Sequence, residues 1–157
     1  MTWGAEDLSA ALGAATAVDE SGAWLPPYAL ARSLCLLAAG AAAVPAIDTV
    51  FTDIRDLAGL RRSAVAARRD GFIGKLAIHP DHVEILNDAY QPTAAEVAAA
   101  EAVVAAFTRA AAGTGVVAHG GKMLDRPHLL RALRVLALAA ESTAATETAD
   151  GSDYPIG

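Results

Sequence analysis

Apolar positions along the chain fall into two kinds of run that take turns. Short continuous runs read as strands. Val44 to Thr52, with Ile47, Val50 and Phe51, is the clearest, and Gly74 to Ile78 is a second, closed by His79-Pro80 because proline removes a ladder donor. Met1 to Trp3 reads as the end of a third, which turns at Gly4 into Ala5-Glu6-Asp7-Leu8. The intervening segments carry helical spacing. A short helix is expected over Ser9 to Gly13, then a polar loop from Asp19 to Pro27 and a helix from Pro27 to about Ala43. Asp56 to Asp70 places Leu57, Leu60, Ala64 and Val65 at helical steps with arginines on the other faces, and Gly71 supplies the stop. Another helix begins beside Asp81. Thr93 and Glu96 have the spacing of a capping box and open an alanine-rich helix that ends near Gly113. Gly115 to Gly121 reads as a short extended or turn segment. A last helix after Asp125 would turn Leu129, Leu130, Leu133, Leu136 and Ala140 inward.

Strand-helix units repeated in this way favour a parallel α/β architecture, in which functional groups gather at the C-terminal ends of the strands. Asp7, Asp53 and His79 all stand at such ends. The 157 residues suit one domain, and alanine dominates the apolar fraction, so close helix packing is favoured over an aromatic-rich β core.

Charge and cysteine usage narrow the function. A net charge of −6 argues against a general phosphate-backbone binder, so no nucleic-acid partner is expected. Leu34 to Ile47, the longest apolar run, is too short to span a bilayer and contains Gly40 and Pro45, and Glu6 and Asp7 stand where a signal peptide would be basic. The single cysteine, Cys35, has no disulfide partner and suits a reducing cytoplasm. His79 and His82 lack partners at a zinc-site spacing, and neither a P-loop nor a GxGxxG fingerprint occurs.

Several ordered motifs carry a family resemblance: Trp3-Gly4-Ala5-Glu6-Asp7-Leu8, Tyr28-Ala29-Leu30-Ala31-Arg32-Ser33, Ala46-Ile47-Asp48, Thr52-Asp53-Ile54-Arg55-Asp56, Gly71-Phe72-Ile73-Gly74-Lys75, Ile78-His79-Pro80 and Gly121-Lys122-Met123-Leu124-Asp125-Arg126-Pro127. Together they resemble the C-terminal portion of the citrate lyase beta-chain-like aldolase family, which includes malyl-CoA and citramalyl-CoA lyases. The resemblance implies part of a TIM (β/α)8 barrel, its sixth to eighth strands, followed by a C-terminal helical extension. Residues 1–112 would form the barrel segment, 113–140 the extension with its KMLDRP motif, and 141–157 a flexible tail. The first five strands have no counterpart in this sequence.

The resemblance also implies chemistry. Asp7 matches one of two carboxylates that hold Mg2+, the other being a glutamate from an earlier strand. Asp125 matches an acid-base residue delivered to a neighbouring subunit's site, which implies a homo-oligomer. Substrates would be 3-hydroxyacyl-CoA thioesters cleaved to an acyl-CoA and an oxo acid. The glutamate and an early-strand arginine for the substrate carboxylate have no match here, which opens a competing reading. In that reading the chain is an inactive or partner-dependent fragment, in assembly or regulation, whose sheet edges pair with a complementing N-terminal segment.

Each candidate also has a plainer reading. Asp7 alone would cap a helix, Asp125 before Arg126-Pro127 is a natural N-cap, and Asp53 and Asp56 suit the cap of the helix that follows them. Arg32 could meet a CoA phosphate or sit in a structural ion pair. His79 could line a pocket or be a satisfied structural histidine. Glu6 could assist the metal or face solvent.

Overall fold

Three parallel segments, following one another along the chain, set the sheet. Thr2 bridges in parallel to Ile47, and β1 (Ile47–Asp48) pairs in parallel with β2 (Gly74–Lys75), with Asp48 opposite Lys75. The ladder runs from Ile47 N–H to the Met1 carbonyl at 2.8 Å, from Ile73 N–H to that of Ala46 at 2.9 Å, and from Leu76 N–H to that of Asp48 at 3.1 Å. Helices α1 (Ala5–Leu12) and α2 (Pro26–Ala41) follow the first segment, α3 (Leu57–Asp70) follows β1, and α4 (Pro80–Tyr90) follows β2. The computed structural model describes residues 1–110 and 115–150, with side chains through 141. It divides into two compact units, Met1–Tyr90 and Gln91–Gly157.

Both strands are shorter than the apolar runs that predict them. A ladder extends only where neighbouring segments overlap, and Pro45 has no N–H to offer on one side. On the other side the chain turns away at Asp53, whose Oδ1 accepts the amides of Arg55 at 3.0 Å and Asp56 at 3.2 Å. Asp56 then caps α3 by accepting the Gly59 amide at 2.8 Å. At the far end of α3, Gly71 takes the left-handed conformation, φ 119°, that the helix stop requires.

Helix α3 holds the first unit together. Its buried stripe is Leu60, Ala64 and Ala67, one helical face, whereas Leu57 and Val65, expected inward, are exposed. Ala67 joins a cluster with Trp3, Tyr28, Ala39, Ala46 and Phe72, and Leu60 and Ala64 join Leu86 and Ala89 of α4. Alanine at the contacts removes side-chain bulk, so the helix backbones approach closely.

His82 of α4 is fully buried, and neither ring nitrogen has a hydrogen-bond partner among the described residues. An unsatisfied buried polar group costs about 1–3 kcal/mol. His82→Leu, which fills a similar space without polar atoms, is therefore expected to raise stability by about 1 kcal/mol. A urea midpoint that fell in this variant would show that His82 is satisfied after all.

In the second unit, α5 (Ala94–Arg109) opens with the expected capping box: Thr93 Oγ1 accepts the Glu96 amide at 3.2 Å, and Glu96 Oε2 accepts the Thr93 amide at 2.7 Å. This helix belongs to the second compact unit. Residues 111–114, and with them the expected stop at Gly113, lie outside the described residues. Where a short extended or turn segment was expected, β3 (Val116–His119) and β4 (Lys122–Asp125) form an antiparallel hairpin. Gly120 and Gly121 connect them with positive φ angles of 55° and 72°, the geometry a two-residue hairpin turn demands. Helix α6 (Arg126–Asp150) continues past Glu141 into the segment expected as a tail. Residues 151–157 lie outside the described residues. Of the side chains expected inward from α6, Leu130, Leu133 and Ala140 are exposed and Leu129 and Leu136 half-buried, while Ala132, outside that set, is buried.

Candidate active site

The turn after the first parallel segment is tight. Gly4 has extended backbone, φ −115°, and serves as N-cap of α1 without a side-chain cap bond. Asp7 sits in the first turn of the helix, exposed, with its carboxylate folded back over Gly4. A Cβ at residue 4 would lie 2.4 Å from Asp7 Oδ2, so glycine is what allows this approach. Asp7 is thus no N-cap, but its charge lies where the helix dipole favours an anion. The neighbouring Glu6 lines a cleft of about 630 Å3 together with Arg32, Asp48, Phe51, Asp56 and Arg62, a cleft that Asp7 does not line. Consecutive carboxylates therefore serve different surroundings.

Beside this turn lies the most charged buried group of the first unit. Parallel neighbours in register share a face, and so do Trp3, Asp48 and Lys75. Asp48, 1% exposed, accepts on Oδ1 the indole Nε1–H of Trp3 at 2.8 Å and Arg32 Nε–H at 3.1 Å. Its Oδ2 accepts from a terminal Arg32 nitrogen at 3.3 Å and from Lys75 Nζ at 3.3 Å. Burial alone would raise the Asp48 pKa, but the Lys75 ammonium, the Trp3 indole and the Arg32 guanidinium outweigh it and hold the carboxyl below its ordinary value. Burial also pushes the Lys75 ammonium down, against the pull of Asp48. Arg32 further pairs with Asp70 at 2.7 Å and lies over the Phe72 ring at 4.6 Å. Arg32 thus forms a structural ion pair through three of its five N–H donors while also lining the cleft.

His79 accepts the Asp81 amide on Nδ1 at 3.2 Å, which places the proton of the neutral ring on Nε2 and makes His79 a cap for α4. Asp53 and Asp56 serve as turn and cap. In the second unit, Asp125 ends β4 just before α6, and its Oδ1 lies 2.5 Å from His128 Nδ1. The His128 ring first, and its backbone amide after that, hold the Asp125 carboxyl below its ordinary value. With the carboxylate ionised, the shared proton resides on Nδ1, which leaves that nitrogen no lone pair for the Asp125 amide 3.3 Å away. The sequence reading missed both Asp48 as a hub and His128 as the partner of Asp125. A charge inside the apolar run and an i, i+3 pair at a helix start were the available signals. Among the described residues no three of His, Cys, Asp and Glu converge as a metal cage, and no helix is long and apolar enough to cross a membrane.

Parallel strand-helix units, with an acidic residue after the first, define a piece of an α/β fold. The chain belongs to the carbon-carbon bond lyase family of the TIM-barrel fold, which matches residues 36–141. It is 44% identical over 110 residues to a citrate lyase subunit beta of Leuconostoc mesenteroides subsp. cremoris, covering 69% of this chain and 36% of that protein. It is 33% identical over 140 residues to a mitochondrial citramalyl-CoA lyase of Rattus norvegicus, covering 88% and 40% respectively. Among solved structures, CitE of Mycobacterium tuberculosis in complex with magnesium, acetoacetate and coenzyme A superposes with a TM-score of 0.81 at 37% identity, over 89% of this chain and 51% of that one. The chain thus spans about half, or less, of the length of the relatives it matches.

Proposed function

We propose that this chain forms part of a magnesium-dependent carbon-carbon lyase that cleaves or forms 3-hydroxyacyl-CoA thioesters such as malyl-CoA or citramalyl-CoA. The observation that carries the reading is the match, over nearly the whole chain, to a relative whose structure holds magnesium, an oxo acid and coenzyme A. The three parallel segments correspond in this reading to the sixth to eighth strands of the barrel, and the second unit to the C-terminal extension.

Magnesium is commonly bound through one or two carboxylates, with substrate oxygens and water completing its shell. Asp7 fits that pattern as one hard oxygen ligand, exposed at the end of a strand. When bound, the ion stabilises negative charge on the oxygen of the oxo acid. Cleavage breaks the bond between the carbinol carbon and the carbon next to the thioester carbonyl. The hydroxyl loses its proton as the oxo acid forms, and the enolate of the acyl-CoA takes one at carbon. Asp125, held ionised by His128, is suited to remove that carbon proton in the condensing direction; in cleavage it must first take up a proton, and its gift to the enolate carbon is then balanced by the one the hydroxyl releases to solvent. It would act at a neighbouring subunit's site, which makes the working form a homo-oligomer or a complex with a complementing N-terminal segment. Arg32, which lines the cleft, and His79, which follows β2, are the residues of this chain that would meet the substrate or its CoA portion.

One observation favours a second reading, a fragment inactive by itself. The outer edges of the first segment and of β2 have no strand partner among the described residues. Leu30, Leu34 and Leu37 form an exposed apolar stripe on α2. Turnover assays with Mg2+ and malyl-CoA or citramalyl-CoA separate the two, run with the chain alone and with an added N-terminal segment of a relative. Release of acyl-CoA and oxo acid is expected once the segment is present. No turnover across the substrate panel in either form would sink the lyase reading.

A further inference from the structure

The turn that carries Asp7 is tied at two points, one on each side of Gly4, to the last residue of β1 and the residue after it. On one side, the Trp3 indole donates to Asp48 Oδ1 at 2.8 Å. On the other, the Ala5 amide donates to Thr49 Oγ1 at 3.2 Å. Asp48 and Thr49 are adjacent residues, both about 1% exposed. Asp48 is itself fixed by Arg32 of α2 and Lys75 of β2. Trp3 is further braced edge-on against Trp24, with ring centroids 5.1 Å apart. Gly4 has no side chain to restrict the turn, so local conformational preference does not fix the direction in which α1 departs. The two bonds supply what glycine lacks.

We infer that Asp48 and Thr49 are positioning residues that clamp the Gly4 turn and so set where the Asp7 carboxylate stands. The functional meaning of the clamp rests on Asp7 being a metal ligand, while its mechanical action does not. Asp48 passes the constraint from β2 and α2 through Trp3 to a residue it does not touch. Thr49 contributes through the backbone of the first helical residue.

Trp3→Phe removes the indole donor and keeps the ring edge, and Thr49→Val removes Oγ1 at constant shape. In the full chain, each is expected to speed amide hydrogen exchange at Leu8 and Ser9, the first α1 amides bonded within the helix, by about five- to tenfold, the factor one lost net hydrogen bond gives. The urea midpoint should fall only slightly and amides of α3 should speed up less than those of α1, a contrast that a merely structural role for these bonds would not produce. Unchanged exchange at Leu8 and Ser9 in both variants overturns the clamp. So does an acceleration that appears only together with global unfolding. Thr49→Val decides the matter if Trp3→Phe does not fold. Binding of Mn2+ to the wild-type chain, followed by its electron spin resonance signal, tests the Asp7 reading separately, so failure there is distinguishable from failure of the clamp.

Discussion

Asp48→Leu is expected to remove about 3–5 kcal/mol of stability, the range for breaking a buried ion pair from one side. The carboxylate answers two cations, and Lys75 is as buried as Asp48 itself, with side-chain exposures of 1% and 2%. Deleting the acid leaves an ammonium with no counter-charge and the Trp3 indole without an acceptor. Domains of this size hold only about 5–15 kcal/mol in total, so a large share of the fold's stability goes with one side chain. Asp48→Asn combined with Lys75→Met restores charge balance and should recover much of the loss, because coupled neighbours do not add. The same group sets the acid limit. Its pKa is lower folded than unfolded, so its contribution is complete above the ordinary carboxylate value of about 3.9 and fades as pH falls through the folded value beneath it. Circular dichroism across an acid titration, with urea midpoints at neutral pH, checks both claims. A single variant as stable as wild type would refute them.

Asp125→Asn should lower turnover of the assembled enzyme by about 10²–10⁴-fold, the usual worth of a positioned general acid-base group. Asparagine caps a helix as well as aspartate does. The variant should therefore keep its helicity while losing proton transfer, which separates the catalytic role from the capping role that the geometry also gives Asp125. His128→Gln is the companion change. It withdraws the leading cause of the low Asp125 pKa, so the acidic limb of the pH-rate profile should move upward. Turnover within a few-fold of wild type for Asp125→Asn would assign this residue to the cap alone.

The helices were legible because their signals are local. Thr93 and Glu96 form their box, Gly71 stops α3 in the left-handed region, and Asp56 caps its start, each from groups within four residues of one another. Strand limits were not legible in the same way. Nothing in Val44 to Thr52 says that only Ile47 and Asp48 will find a partner, because the ladder is decided by residues 1 and 74, far off in sequence. The hairpin of the second unit stood in between. Gly120-Gly121 announced a turn, but Lys122 to Asp125 looked like the approach to a helix and not like a strand.

Site residues divide along the same line. Asp7 and Asp125 stand out as candidates through the motifs around them. Asp48 was quoted within such a motif yet carried no role, since its partners lie 16, 27 and 45 residues away. Its neighbours in sequence are alanine, isoleucine and threonine, none of which hints at a buried cation. The ion pairs of Arg32 were hidden for the same reason, since its two carboxylates lie 16 and 38 residues away.

That one carboxylate binds three separate stretches of chain also bears on how this sequence can drift. Trp3, Arg32 and Lys75 each answer to Asp48, so a change at Asp48 disturbs all three stretches at once, whereas a change at one of the three leaves the other two still held.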